Sequence, residues 1–155
     1  MTTSVGTVAS STMRTAAEEK PPLLTEGIHE LTTGQVREIC VSAKRFSGST
    51  SRASLMDNLE LLVEAFSQQG IGCEIWLDGS FLTEEINPRD VDLSVRVASV
   101  DYENGTASQV ELLNLVNELD GTKHIHGFLF FDFPIGHLHH HLGPEMLAYW
   151  KKQWG

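Results

Sequence analysis

The chain has 155 residues, 41% of them hydrophobic, and a formal net charge of −10 that sets 21 acids against 11 Lys and Arg. That length gives one domain with a core large enough to fold alone, and the acidic balance argues against broad nucleic-acid binding by phosphate neutralisation. No apolar run is long enough to cross a bilayer and the N-terminus lacks the basic and apolar regions of a signal peptide, so a soluble, cytoplasmic protein without a membrane partner is expected.

Residues 1–22 are rich in Thr, Ser and Ala, carry little apolar periodicity and end in Glu18-Glu19-Lys20-Pro21-Pro22. This predicts a disordered tail, with the folded domain over 23–155. Gly27 to Leu31 reads as a loop leading into a helix capped at Thr32 or Thr33, Gln35 completing a capping box from Thr32. His29 in that loop is read as a structural, hydrogen-bonded histidine. Cys40 and Cys73 are too few for a disulfide framework and have no metal-type spacing, which fits reduced, buried thiols.

After a Gly, Ser and Thr-rich connector, Leu55, Leu59, Leu62, Val63 and Phe66 recur at helical spacing until Gln69-Gly70 stops the pattern. Their stripe is core packing. Cys73 to Asp78 then alternates as a strand, Ile75 and Leu77 on one face and Glu74 and Trp76 on the other. Farther on, Asn104-Gly105 marks a turn. Val110, Leu112, Leu113, Leu115, Val116 and Leu119 predict a helix ended by Gly121, and Gly127 to Pro134 reads as a Phe-rich strand. Alternating helices and strands predict an α/β (α+β) fold, a small mixed sheet backed by helices.

His124, His126, His137 and His139 to His141 form a local cluster whose imidazoles would suit zinc or nickel. Consecutive histidines cannot all address one ion, so a solvated loop is the default reading. Gly143-Pro144 starts a last helix that carries Met146, Leu147 and Trp150 toward the core or an interface.

The segment Trp76 to Val97, WLDGSFLTEEINPRDVDLSVRV, carries the chemistry. Side chains alternate along a strand, so Asp90, Asp92, Ser94 and Arg96 share one face and Val91, Leu93, Val95 and Val97 the other. Two carboxylates at that spacing lie roughly 6 to 7 Å apart at the backbone, close enough to meet one hard cation. Mg²⁺ accepts one or two carboxylates and completes its shell with water and substrate phosphate. Gly79 lets the chain turn sharply and lets a phosphate approach the backbone; Ser80 adds a hydroxyl, and a helical turn over Phe81 to Glu85 would add N–H groups. Asp78 lies beside this pocket and is given no catalytic role. Arg89 and Arg96 each have two readings, a phosphate contact or pairing with an acid. Asp132 sits among phenylalanines, where a metal or an acid cluster would explain it, as would exposure at a strand end.

Gly-Ser, a short spacer and an Asp-apolar-Asp-apolar strand resemble the signature of the DNA polymerase beta-type nucleotidyltransferase superfamily. More narrowly, Gly27-Ile28-His29, the run IWLDGSFLTEEINPRDVDL and the tryptophan-rich end resemble a family of short bacterial nucleotidyltransferase-like proteins of unassigned function, over about Leu23 to Gly155. The resemblance implies that Gly79 and Ser80 contact a triphosphate, that Asp90 and Asp92 bind Mg²⁺ or Mn²⁺, and that Asp132 supplies a third carboxylate. It implies transfer of a nucleoside monophosphate from an NTP to an acceptor hydroxyl, with a protein acceptor attractive because small relatives act in toxin–antitoxin pairs. The rival expectation is a non-catalytic module of the same fold, an antitoxin, immunity or regulatory subunit.

Overall fold

A computed structural model describes residues 4–9, as backbone, together with 20–142, 144, 145, 148, 149 and 152. The longest apolar stripe forms α2, Arg52–Gln68, which buries Leu55, Met56, Leu59, Leu62 and Phe66 at the three- and four-residue spacing that puts side chains on one helix face. Past its cap at Gln69, the amide of Ile71 returns to the Phe66 carbonyl at 3.0 Å and turns the chain into β3, Cys73–Asp78.

Five strands form one mixed sheet. These are β1 (Ser4–Ala9), β2 (Gly27–Leu31), β3, β4 (Val91–Ala98) and β5 (Ile125–Asp132), in the order β2-β1-β3-β4-β5. β3 and β4 are antiparallel neighbours, whereas β4 and β5 are parallel. Between β4 and β5 the chain crosses over through α3 (Ser99–Glu103) and α4 (Ala107–Glu118), as a parallel pair requires. Ile75, Leu77, Val91, Leu93, Val95, Val97 and Ile125 join Leu55, Leu59, Phe66, Leu113 and Val116 in one buried core, so α2 and α4 pack on a single face of the sheet. The mixed sheet backed by helices matches the expected architecture.

Two N-terminal expectations change. Ser4–Ala9 is not a tail: it is an inner strand, antiparallel to β2 and parallel to β3. Its β-branched Val5, Thr7 and Val8 favour extended backbone within a stretch whose Ser, Thr and Ala content otherwise reads as solvated. Gly27 to Leu31, expected as a loop, is the edge strand β2. The capping box is present: the Gln35 amide donates to Thr32 Oγ1 at 3.2 Å and the Thr32 amide to Gln35 Oε1 at 2.9 Å, opening α1, Thr33–Arg37. His29 Nε2 bonds the Thr25 carbonyl at 2.8 Å, a structural role. Of the last helix, Pro144, Glu145, Ala148, Tyr149 and Lys152 are helical. Gly143, Met146, Leu147, Trp150, Lys151 and Trp154 lie outside the described residues. Among the described residues no helix is long and apolar enough to cross a membrane.

Candidate functional site

The sheet face opposite the core carries Glu74, Asp78, Asp92, Arg96 and His126 beside the buried Trp76, Ser94 and Phe130. Register aligns Asp78 with Asp92 across β3 and β4, and Asp92 with His126 across β4 and β5, so these three side chains lie in one row on one face. The row stands where β3 ends and where β4 and β5 begin. Asp78 and Asp92 are thus like charges opposite each other, an arrangement that costs energy unless a cation or hydrogen bonds offset it.

Gly79 follows β3 at φ 80° and ψ −164°, a conformation nearly restricted to glycine. A Cβ there would collide with Asp92 Oδ2, so the Asp92 carboxylate rests directly on the Gly79 backbone. The other Asp92 oxygen, Oδ1, is 3.1 Å from His126 Nδ1. A carboxylate only accepts, so Nδ1 is the donor and Nε2 carries the lone pair whenever the ring is neutral. Asp90, just before β4, lies against Gly121: a Cβ at that glycine, which has φ +89°, would meet Asp90 Oδ2 at 2.6 Å. The structure therefore brings Gly79, Ser80, Asp90 and Asp92 to one end of the sheet. Arg89, exposed, adjoins Asp90 there.

Asp132 and Arg96 do not join them. Asp132 is level with Ala98, six residues along β4 from Asp92, which is about 20 Å at ~3.3 Å per residue. Arg96 reaches the other way, Nη2 to Asp132 Oδ2 at 2.8 Å and Nη1 to Glu74 Oε2 at 3.2 Å. The expected third carboxylate is a partner of Arg96 at the far end, and Arg96 is an ion-pairing residue. In the register position beside Asp92 stands His126. The expected helical turn is also shorter, a 3₁₀ turn over Ser80–Leu82. Its Leu82 and Thr83 amides bond back to the Gly79 and Ser80 carbonyls, each at 3.1 Å, and so are not free for an anion.

The donor set is hard and oxygen-rich, which suits Mg²⁺ or Mn²⁺. Among the described residues no group of three His, Cys, Asp or Glu side chains is spaced to hold a metal ion. A carboxylate pair completed by phosphate oxygens remains an arrangement Mg²⁺ accepts. The histidine-rich segment after β5 makes internal bonds: His137 Nε2 donates to Glu103 Oε1 at 2.9 Å and accepts at Nδ1 from the His139 amide at 3.0 Å. His140 Nδ1 donates to the Phe133 carbonyl at 2.6 Å.

One further residue shapes the site from below. Arg52, fully buried at the start of α2, donates Nη1 to the carbonyls of Cys40 (2.9 Å) and Phe81 (2.7 Å). Its Nη2 donates to those of Thr83 and Glu85, both at 2.6 Å, and Nε to Glu85 at 3.0 Å. Burial lowers the Arg52 guanidinium from its ordinary pKa, with the Cys40 and Glu85 charges opposing that shift. Nothing in the local sequence, Ser49-Thr50-Ser51-Arg52, distinguishes this arginine from a solvated one at a helix start.

A family model of proteins of unknown function, DUF6932, matches residues 16–155. The chain belongs to this family. The DUF6932 match spans the described strands β2 to β5 with α1 to α4 and the whole candidate site, and of the described elements it leaves out β1. Neither the curated proteins nor the solved structures give a match.

Proposed function

We propose that this DUF6932 chain binds a nucleoside triphosphate with a divalent cation at the Gly79, Asp90 and Asp92 end of the sheet and transfers the nucleoside monophosphate to an acceptor hydroxyl. The observation that carries the reading is the contact of the Asp92 carboxylate with the Gly79 backbone. It joins the two halves of the motif, the Gly-Ser turn and the acid a cation can use. Asp90 and Asp92 would hold Mg²⁺ or Mn²⁺, which when bound supplies charge neutralisation at the phosphate oxygens. Gly79, lacking a side chain, lets the Asp92 carboxylate seat against its backbone, Ser80 offers its hydroxyl, and Arg89 adds an exposed positive charge nearby. In the reaction the acceptor oxygen forms a bond to the α-phosphorus as the bond to pyrophosphate breaks, and the acceptor proton is lost to water. The net charge of −10 turns the acceptor away from long nucleic acids and toward a hydroxyl on a protein.

A second reading, a non-catalytic module that binds a partner through the same fold, draws on the position of Asp132, which leaves the site without its third carboxylate. Incubation of the purified chain with labelled nucleoside triphosphates, Mg²⁺ or Mn²⁺ and cell extract separates the two. A labelled product that disappears in Asp90→Asn supports transfer. No labelling, with a stoichiometric co-purifying protein, supports the module.

A further inference from the structure

The connection from Gly79 to Asp90 joins antiparallel neighbours that a loop of about two to five residues could link. A loop so much longer, with only the Ser80–Leu82 turn inside it, needs an external hold to keep one shape. Its side chains are held where Arg45 Nη1 pairs with Glu84 Oε1 and where the Thr50 amide donates to Asn87 Oδ1, both at 2.8 Å, and two further holds act on its backbone. On the outside, Leu23 donates to the Leu82 carbonyl and Glu84 to that of Pro21, both at 2.8 Å. On the inside, Arg52 gathers the alternate carbonyls of Phe81, Thr83 and Glu85 onto one guanidinium, whose carbon lies 3.8 Å from the centre of the Phe46 ring.

All five N–H groups of Arg52 go to carbonyl oxygens and none to a carboxylate. Burying such a charge is expensive, and an apolar side chain of similar size would fill the space at lower cost. What an apolar side chain cannot do is tie three carbonyls of one loop to the first residue of α2. Lysine cannot do it either, because its ammonium is a point donor and not a planar fork.

We propose that Arg52 is the positioning residue of the phosphate-binding turn. It holds residues 81–85 from beneath, so that Gly79 and Ser80 stand opposite Asp92 before a polyphosphate arrives. This rests on the nucleotide reading of Gly79 and Ser80, and the experiment below separates the two.

The full chain is compared as wild type, Arg52→Lys and Leu113→Ala, the last a core truncation on α4 that lowers stability and leaves every hydrogen bond of the loop in place. MgATP binding is followed by calorimetry at a temperature where circular dichroism reports each variant folded, and amide exchange is read over residues 80–85. Arg52→Lys is expected to weaken MgATP binding by about tenfold or more and to raise exchange at 80–85, while Leu113→Ala binds as the wild type does. Wild-type affinity in Arg52→Lys, or equal losses in the two variants for equal lost stability, overturns the proposal. If the wild type binds no MgATP, the nucleotide reading fails by itself, and unchanged exchange at 80–85 in Arg52→Lys would overturn the hold on the loop as well. Should Arg52→Lys not fold, Phe46→Leu removes the ring beneath the guanidinium and keeps its donors. Raised exchange at 80–85 is then expected, and unchanged exchange overturns the proposal.

Discussion

Asp92 rests its carboxylate on the backbone of Gly79, thirteen positions earlier in the sequence, across register-paired strands whose last and first acidic residues, Asp78 and Asp92, face each other. The contact needs both a glycine and its conformation. Gly79→Ala brings a Cβ into Asp92 Oδ2 at a φ of 80° that side chains avoid. The expected loss of stability is about 1–3 kcal/mol from the backbone alone, with more from the collision, read as a lower urea midpoint. Nucleotide binding is expected to disappear with it.

Asp132 and Asp92 part company in the same way. Asp132→Asn removes one arm of an ion pair whose carboxylate side chain is 49% exposed, and such pairs contribute roughly 0–1 kcal/mol. Its denaturation midpoint and its nucleotide affinity should stay close to wild type. Asp92→Asn should leave the fold intact and abolish cation-dependent binding.

The difference between the two acids explains what was legible in the sequence. Alternation assigns a residue to a face, and it did so correctly for Ile75, Leu77, Asp92 and Ser94. It does not say how two strands slide past each other. β4 and β5 are parallel and joined by a helical crossover, so Asp132, near the end of β5, had no local signal placing it level with Ala98 instead of Asp92. His126, the residue actually level with Asp92, was hidden among neighbouring histidines. Helices read well because their stripes and stops are local, as with Leu55 to Phe66 in α2. Arg52 was unreadable because its partners, Cys40 and Phe81 to Glu85, are distant in sequence and offer carbonyls, which every residue has.

The thiols give a pH dependence. Burial pushes both Cys40 and Cys73 up to about 12 from an ordinary 9.0, the Arg52 charge partly opposing the shift at Cys40 and Glu74 adding to it at Cys73. The unfolded chain loses these protons first as pH rises. Their contribution is therefore complete below about pH 9 and is lost as pH climbs toward 12, by about 1.4 kcal/mol per unit and per thiol. Urea denaturation at pH 8 and pH 10.5 should show a smaller drop in a Cys40→Ala, Cys73→Ala double variant than in the wild type.

Thr106 closes a second capping box, its Oγ1 accepting from the Gln109 amide at 3.2 Å while Gln109 Oε1 accepts from the Thr106 amide at 2.9 Å. Thr106→Ala should destabilise the chain by about 1 kcal/mol. Because Thr106 caps the end of α4 opposite the one that leads to Gly121 and Asp90, nucleotide affinity should not follow.

The most direct test is a calorimetric titration of the full chain with ATP in the presence and absence of Mg²⁺. Saturable binding that requires Mg²⁺, is lost in Asp90→Asn and in Asp92→Asn, and persists in Asp132→Asn is the predicted result. No binding, or binding indifferent to Asp90 and Asp92, would contradict a nucleotide site at this end of the sheet.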